Sequence, residues 1–169
     1  MASDIYEPCP PTEASFHPSD LEKYQPTLQI PPEFEINTAR LGDPSYVKPR
    51  RLFYGFGLHI QDFIDYHQKL WLPAPPPHLL DSRAELWDHM ISQVMADLTE
   101  ACERSFRLIL PISLEYRLVI CLYESHNGTV PFTKMGEYEE QEVLEIMRGR
   151  FGAVLDVQEP QWFFSFVEV

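Results

Sequence analysis

The sequence predicts an α+β domain of the ferredoxin-like βαββαβ pattern, a sandwich with an antiparallel sheet and helices on one face. Four segments are rich in β-branched and aromatic residues, as strands are: 51–60, 117–123, 129–132 and 162–169. Three others carry apolar residues at helical spacing: 61–72, 82–102 and 137–151. Their order along the chain is strand, two helices, two strands, helix and strand, and this order predicts the fold.

Length and composition predict one folded domain with an N-terminal arm. The chain has 169 residues, of which 44% are hydrophobic, enough for one core. Residues 1–49 contain nine of the 16 prolines, which remove backbone donors and disfavour regular structure. Apolar side chains in the same stretch predict that this proline-rich arm packs on the domain formed by residues 50–169.

The first predicted strand carries two glycines on one of its faces. In residues 51–60, Phe53, Gly55, Gly57 and His59 fall on one face by period-two alternation. Two glycines on one face of a strand usually mean that another backbone, a ring or a ligand comes close.

The helices carry recognisable ends. Ser82 and Glu85 form a capping-box pattern at the start of the longest one. The last predicted helix is acidic in its first half and basic at its end, as the helix dipole favours, and Gly152 follows as its C-cap.

Residues 117–132 predict a β-hairpin. Arg117 to Tyr123 is a dense apolar run, Ser125 to Gly128 has turn chemistry, and Thr129 to Phe132 is the second arm. The strands are apolar on both faces, whereas a sheet with one wet face alternates more cleanly. The face away from the helices must therefore be covered by the arm, a second copy of the chain, a partner protein or a ligand.

The glycine face is the strongest candidate site. A depression there would be lined by ligand-binding residues from three strands: Phe53, Gly55, Gly57, Cys121, Phe163 and Ser165. His59 at its end is a candidate acid or base, with Tyr123 as a supporting catalytic residue. The competing interpretation is that the glycines only admit large rings from adjacent strands.

Metal and thiol chemistry are weakly indicated. His59, Asp62, Asp65 and His67 are the only local cluster of ligand-type residues, but their helical spacing places them on different faces, so we predict no metal site. Cys121 lies in an apolar strand and is expected to be inert. The chain contains no phosphate-binding loop or dinucleotide fingerprint, and no cofactor is predicted.

Charge and cysteine content limit the partners and the compartment. A net charge of −13 opposes binding to nucleic acid and to anionic membrane surfaces, and favours a basic partner or solubility alone. Three widely spaced cysteines and a charged N-terminus without a signal-peptide core predict reduced thiols in the cytoplasm.

Two functions follow from these observations. The first is a non-catalytic interaction or ligand-binding protein, whose apolar sheet face binds a protein partner, a second copy or an apolar small molecule. The second is a small cofactor-independent lyase or isomerase that acts on an apolar metabolite near His59.

Overall fold

The fold mixes helices with one sheet. The structure, a computed structural model, describes residues 21–22, 24–47, 49–70, 72–74, 76–79, 82–126, 134–156 and 158–165. Its elements in chain order are β1 (Phe53–Leu58), α1 (Ile60–Lys69), α2 (Arg83–Ala101), β2 (Arg107–Ile109), β3 (Leu118–Glu124), α3 (Glu137–Phe151), α4 (Ala153–Asp156) and β4 (Gln161–Phe163). The predicted α+β class is confirmed.

The four strands form one antiparallel sheet in the order β2-β3-β1-β4. Strand β3 pairs with β1 along its whole length, from Leu118 opposite Leu58 to Glu124 opposite Phe53. Because every neighbouring pair is antiparallel, β1 and β2 run in the same direction with β3 between them. Strands β3 and β4 are parallel in the same way, with β1 between them.

The strand before β3 differs from the prediction. Sequence analysis placed no strand at Arg107–Ile109, yet these residues form β2 and pair with Val119 to Cys121. Three residues are too few for a period-two signal, and Pro111 follows at once. The predicted second arm of the hairpin, Thr129 to Phe132, lies outside the described residues, and so do residues 166–169 of the last predicted strand.

One face of the sheet packs on the three long helices. The largest described core cluster joins strand residues such as Phe56, Ile120 and Leu122 to helix residues from α1, α2 and α3: Phe63, Tyr66, Val94, Leu98, Val143, Met147 and Phe151. His67 lies on this apolar side of α1, where it is 7% exposed and its Nε2 lies 2.6 Å from Gln93 Oε1. It is therefore a hydrogen-bonded core histidine, the usual role of histidine on an apolar stripe.

The other face of the sheet is buried where the sheet curves and closes, and Tyr116 from the β2–β3 connection packs against it. Ile109 of β2 and Phe163 of β4 belong to opposite edge strands but pack in one buried cluster, together with Phe53, Val119 and Cys121. Beyond these strands the chain closes with a bridge between Pro111 and Ser165 and a hydrogen bond of 2.8 Å from Ile112 N–H to Phe164 O. The second face is thus concave and lined by its own side chains.

The described part of the arm lies at the edge of the sheet. Tyr24 and Phe34 are buried in a separate cluster with Leu52, Ile112 and Phe164. These contacts cover the end of the curved sheet and the outer edge of β4.

Candidate ligand-binding site

The predicted sheet-face residues are brought together, but in the interior. Phe53 pairs with Phe163, and Gly55 pairs with Cys121 in the neighbouring strand. Phe53, Cys121 and Phe163 are all at most 2% exposed. Ser165, also 2% exposed, donates its hydroxyl to Leu110 O at 3.3 Å. These positions line the concave core.

The two glycines admit close neighbours. A Cβ added at Gly55 would lie 2.0 Å from the carbonyl oxygen of Ile120, so the backbone of β3 occupies that space. A Cβ at Gly57 would lie 2.3 Å from the ring of Tyr116, which covers the glycine as aromatic side chains often do in strands. Protein atoms therefore fill the space that both glycines leave.

Tyr123 lies away from the glycines. A β-bulge between Tyr54 and Gly55 sets two residues of β3 against one of β1, so Tyr123 pairs with Tyr54 and packs on the helix-facing side. Since β1 rises by roughly 3.3 Å per residue, positions 54 and 59 are about 16 Å apart, which separates Tyr123 from His59. The two predicted catalytic residues do not form one site.

Tyr123 belongs to an aromatic cluster with a carboxylate. Its ring stacks on Tyr54 with centroids 4.7 Å apart, and its hydroxyl donates to Glu140 Oε2 at 3.3 Å. Burial, and then the Glu140 carboxylate, raise the pKa of Tyr123 above its ordinary value. The phenol is therefore protonated at neutral pH.

Cys121 is an unreactive thiol at neutral pH. Its Sγ donates to Tyr123 O at 3.2 Å, and burial raises its pKa to about 12. The thiolate, which is the nucleophilic form, is not populated at pH 7.

Alkaline pH should destabilise the fold. Because the pKa of Cys121 rises from about 9 to about 12 on folding, its contribution to stability is complete below pH 9 and is lost as the pH rises toward 12. Tyr54, Tyr66 and Tyr123, whose pKa values are also raised, act in the same direction above pH 10. Urea midpoints measured from pH 7 to 11 should be flat and then fall above pH 9.

A matched variant isolates the thiol in that measurement. In Cys121→Ala, the urea midpoint should fall less steeply with pH between pH 9 and 10 than in wild type. This expectation does not depend on how stable the variant is at pH 7. A wild-type midpoint that stays constant to pH 11 would contradict this assignment.

The surface carries an open depression where β1 meets α1. It has a volume of about 370 Å³ and contains two of the predicted site residues, Gly57 and His59. The remaining lining residues come from α1, the β2–β3 connection, α4, the α4–β4 connection and the start of β4: Asp62, Glu115, Tyr116, Val154, Gln158, Glu159 and Gln161.

Local hydrogen bonds fix His59 and Tyr116. His59 precedes α1 as its N-cap and donates its backbone N–H to Asp62 Oδ2 at 2.7 Å. Ser113 Oγ accepts the backbone N–H of Tyr116 at 3.0 Å, and Arg117 N–H reaches Leu58 O at 3.1 Å, which holds the connection against the end of β1. The rings of His59 and Tyr116 lie 5.8 Å apart between centroids.

Gln158 forms the polar wall of the depression. Its Nε2 donates to Gly57 O at 3.1 Å, beyond the point where β4 stops pairing with β1. Its Oε1 is buried and has no hydrogen-bond partner among the described residues. A buried acceptor without a donor is energetically costly.

Acceptors dominate the chemistry of this depression. Asp62, Glu115 and Glu159 contribute carboxylates, Gln158 adds an amide oxygen without a donor among the described residues, and Tyr116 contributes an aromatic ring. Burial raises the pKa of Tyr116, so its phenol is uncharged at neutral pH. The depression has the groups that bind a cationic hydrogen-bond donor.

Tyr116, Gln158 and Glu159 were missed by sequence analysis. They lie in connections without hydrophobic periodicity, and only the fold brings them to His59. The glycine pair was the available signal, since it predicted that a ring comes close to β1.

A second depression, of about 470 Å³, lies at the start of α3 and contains none of the predicted site residues. It is lined by Lys134, Met135, Glu137, Glu140, Gln141 and Leu144. Among the described residues no group of three His, Cys, Asp or Glu side chains is placed to hold a metal ion. None of the described helices has the length and hydropathy to cross a membrane.

Comparison with known proteins leaves the geometry as the source of functional inference. No protein-family model, no curated protein and no solved structure matches this chain.

Proposed function

We propose that this chain is a non-catalytic binding protein whose depression at His59 takes a cationic group, such as the guanidinium of a ligand or of a basic partner segment. The observation that carries the proposal is the lining of the depression, where three carboxylates lie beside the ring of Tyr116 and the Oε1 of Gln158 has no donor among the described residues. A guanidinium offers donors to the oxygen atoms and a flat cation to the ring.

The proposed ligand binds at the rim of the sheet, whereas the sequence predicted a site on the apolar sheet face. The described residues of the apolar face are buried, which favours a site at the rim. The net charge of −13 also favours a basic partner, and it disfavours nucleic acid and anionic lipid.

The alternative function is a cofactor-independent lyase or isomerase with His59 as acid or base. Its support is the ring of Tyr116, 5.8 Å from that of His59, in place of the distant Tyr123. The depression is open and acidic, however, and suits a charged ligand better than the apolar metabolite that the enzyme hypothesis requires.

A pair of isosteric ligands tests the binding function. The full chain is titrated with Nα-acetylarginine methylamide and, separately, with its neutral citrulline analogue, and the ring resonances of His59 and Tyr116 are followed by NMR. We expect saturable shifts with the arginine ligand, with a dissociation constant on the order of 1 mM, and about tenfold weaker binding of citrulline.

Charge variants locate the site. Glu115→Gln combined with Glu159→Gln, both at exposed positions, should weaken arginine binding, and Glu142→Gln combined with Glu145→Gln on α3 should not, although it changes the net charge equally. Equal affinity for the two ligands, or equal loss in both double variants, would refute the proposal. Turnover of a substrate that depends on His59 would instead favour the enzyme.

We also propose that the fold is the ferredoxin-like pattern, with β2 and β3 as its middle strands. Support comes from two interleaved units in which parallel strands, β1 with β2 and β3 with β4, flank a third strand. We also propose a cytoplasmic location, because widely spaced cysteines that form no disulfide fit a reducing compartment. Cys102 and Cys121 are free thiols in the described structure.

A further inference from the structure

The arm occupies a groove at the edge of the sheet. Its docked segment, residues 24–34, inserts Tyr24 and Phe34, which are 7% and 5% exposed. Both rings meet Phe164 edge-on, with centroids 4.9 and 5.0 Å from it. Leu52 and Ile112, fully buried, complete the groove.

The docked segment also pairs with β4 through one isolated antiparallel bridge. Thr27 N–H donates to Trp162 O at 3.0 Å, and Trp162 N–H donates to Thr27 O at 2.7 Å. Together with the two aromatic anchors, this is the pattern of β-strand addition, in which main-chain bonds and side-chain pockets recognise a peptide.

The middle of the docked segment is open to solvent. Leu28, between the anchors, is 60% exposed. The hydrogen bonds described for residues 37–47 lie within that stretch: Asn37 N–H donates to the Tyr46 hydroxyl oxygen at 2.8 Å, and Ser45 N–H donates to Asp43 Oδ1 at 2.8 Å. In the described structure the docked segment is held by its two aromatic anchors, by the bridge to Trp162, by Ile30 at the edge of the same cluster and by Arg50 over the ring of Tyr24. Pro26, Pro31 and Pro32 restrict the segment before it docks, which lowers the entropic cost of docking.

We propose that this groove is an exchangeable peptide-binding site and that the arm is its intramolecular ligand. The external ligand is a partner segment of the same chemistry: extended, containing proline, with two aromatic side chains about ten residues apart. When the arm leaves, Phe164 loses both ring partners and Trp162 presents a free N–H and C=O, which the partner segment takes up. The tethered arm competes through its high effective concentration.

The test uses the protein's own segment as the probe. A fluorescent peptide of residues 21–36 is added to the full-length wild type and to full-length Tyr24→Ala/Phe34→Ala, in which the tethered arm lacks its anchors. We expect the variant to bind at least about tenfold more tightly than wild type, because the competitor is gone. A peptide with Ala at both aromatic positions is the control and should not bind.

A second variant guards against a folding defect. Thr27→Pro keeps both aromatic rings but removes the N–H that Trp162 O accepts, and it should also increase peptide affinity. Folding of both variants is checked by a cooperative urea transition. If either folded variant binds the peptide no better than wild type, the groove is not exchangeable and the proposal fails. A wild-type dimer in sedimentation would assign the groove to the arm of a second copy, and would overturn the choice of a foreign segment.

Discussion

Replacing Gly55 by alanine should destabilise the protein by about 3 kcal/mol or more, or prevent folding. The new Cβ would lie 2.0 Å from Ile120 O and 3.0 Å from the Cα of Cys121. Both are backbone atoms of the paired strand β3, so the clash cannot be relieved by rotation of a side chain. Strand β1 is also bonded to β4 on its other side, so it cannot retreat without breaking that pairing. Urea unfolding of the purified variant measures the loss.

Gly149 provides the matched control for this substitution. It lies within α3, and a Cβ added there meets nothing within 4 Å. Gly149→Ala should therefore stabilise the protein by about 0.5–1 kcal/mol, through the better helix propensity of alanine. If both variants unfold at the wild-type urea concentration, the close approach at Gly55 is disproved.

Replacing Phe164 by alanine should cost about 3–5 kcal/mol and release the arm. The ring is 2% exposed and is the common partner of Tyr24 and Phe34. Arg50 also lies over it, with the guanidinium carbon 5.8 Å from the ring centroid. Removal of the Phe164 ring leaves a cavity between the docked segment and the sheet, and Tyr24 and Phe34 lose their contact with that ring.

Two measurements check the Phe164 variant. Urea unfolding gives the loss of stability, and limited proteolysis under native conditions should cleave the segment around residues 24–47 faster than in wild type. Leu114→Ala, at a side chain that is 66% exposed, should change stability by less than about 0.5 kcal/mol. Unchanged cleavage of the arm in Phe164→Ala would mean that the ring does not anchor it.

The helices and the central strands could be predicted because their signals are local. Apolar residues at helical spacing predicted α1, α2 and α3, and the dense apolar runs predicted β1 and β3. The observation that both faces of the strands are apolar also led to a correct requirement, namely that the second face is buried. Among the described residues, contacts between the two edge strands and the ring of Tyr116 bury this face, and these contacts depend on pairing between distant parts of the chain.

The parts that could not be predicted depend on contacts between distant residues. Strand β2 is too short to show a period, and the bulge beside Gly55 turns Tyr123 to the helix side through a single extra residue. The depression at His59 joins three connections that have no common sequence pattern. A one-residue change in register exchanges the two faces of a strand, so a site predicted from alternation alone is wrong wherever a bulge shifts the register.

By itself, then, the sequence determined which segments become helices and strands, that the domain is acidic, and that two glycines in β1 need close neighbours. The tertiary structure alone decided which neighbours those are, where the sheet closes, and that His59 faces Tyr116 and Gln158. The physical reason is that propensity and periodicity act over a few residues, whereas closure of the sheet brings together groups such as Pro111 and Ser165 from distant parts of the chain.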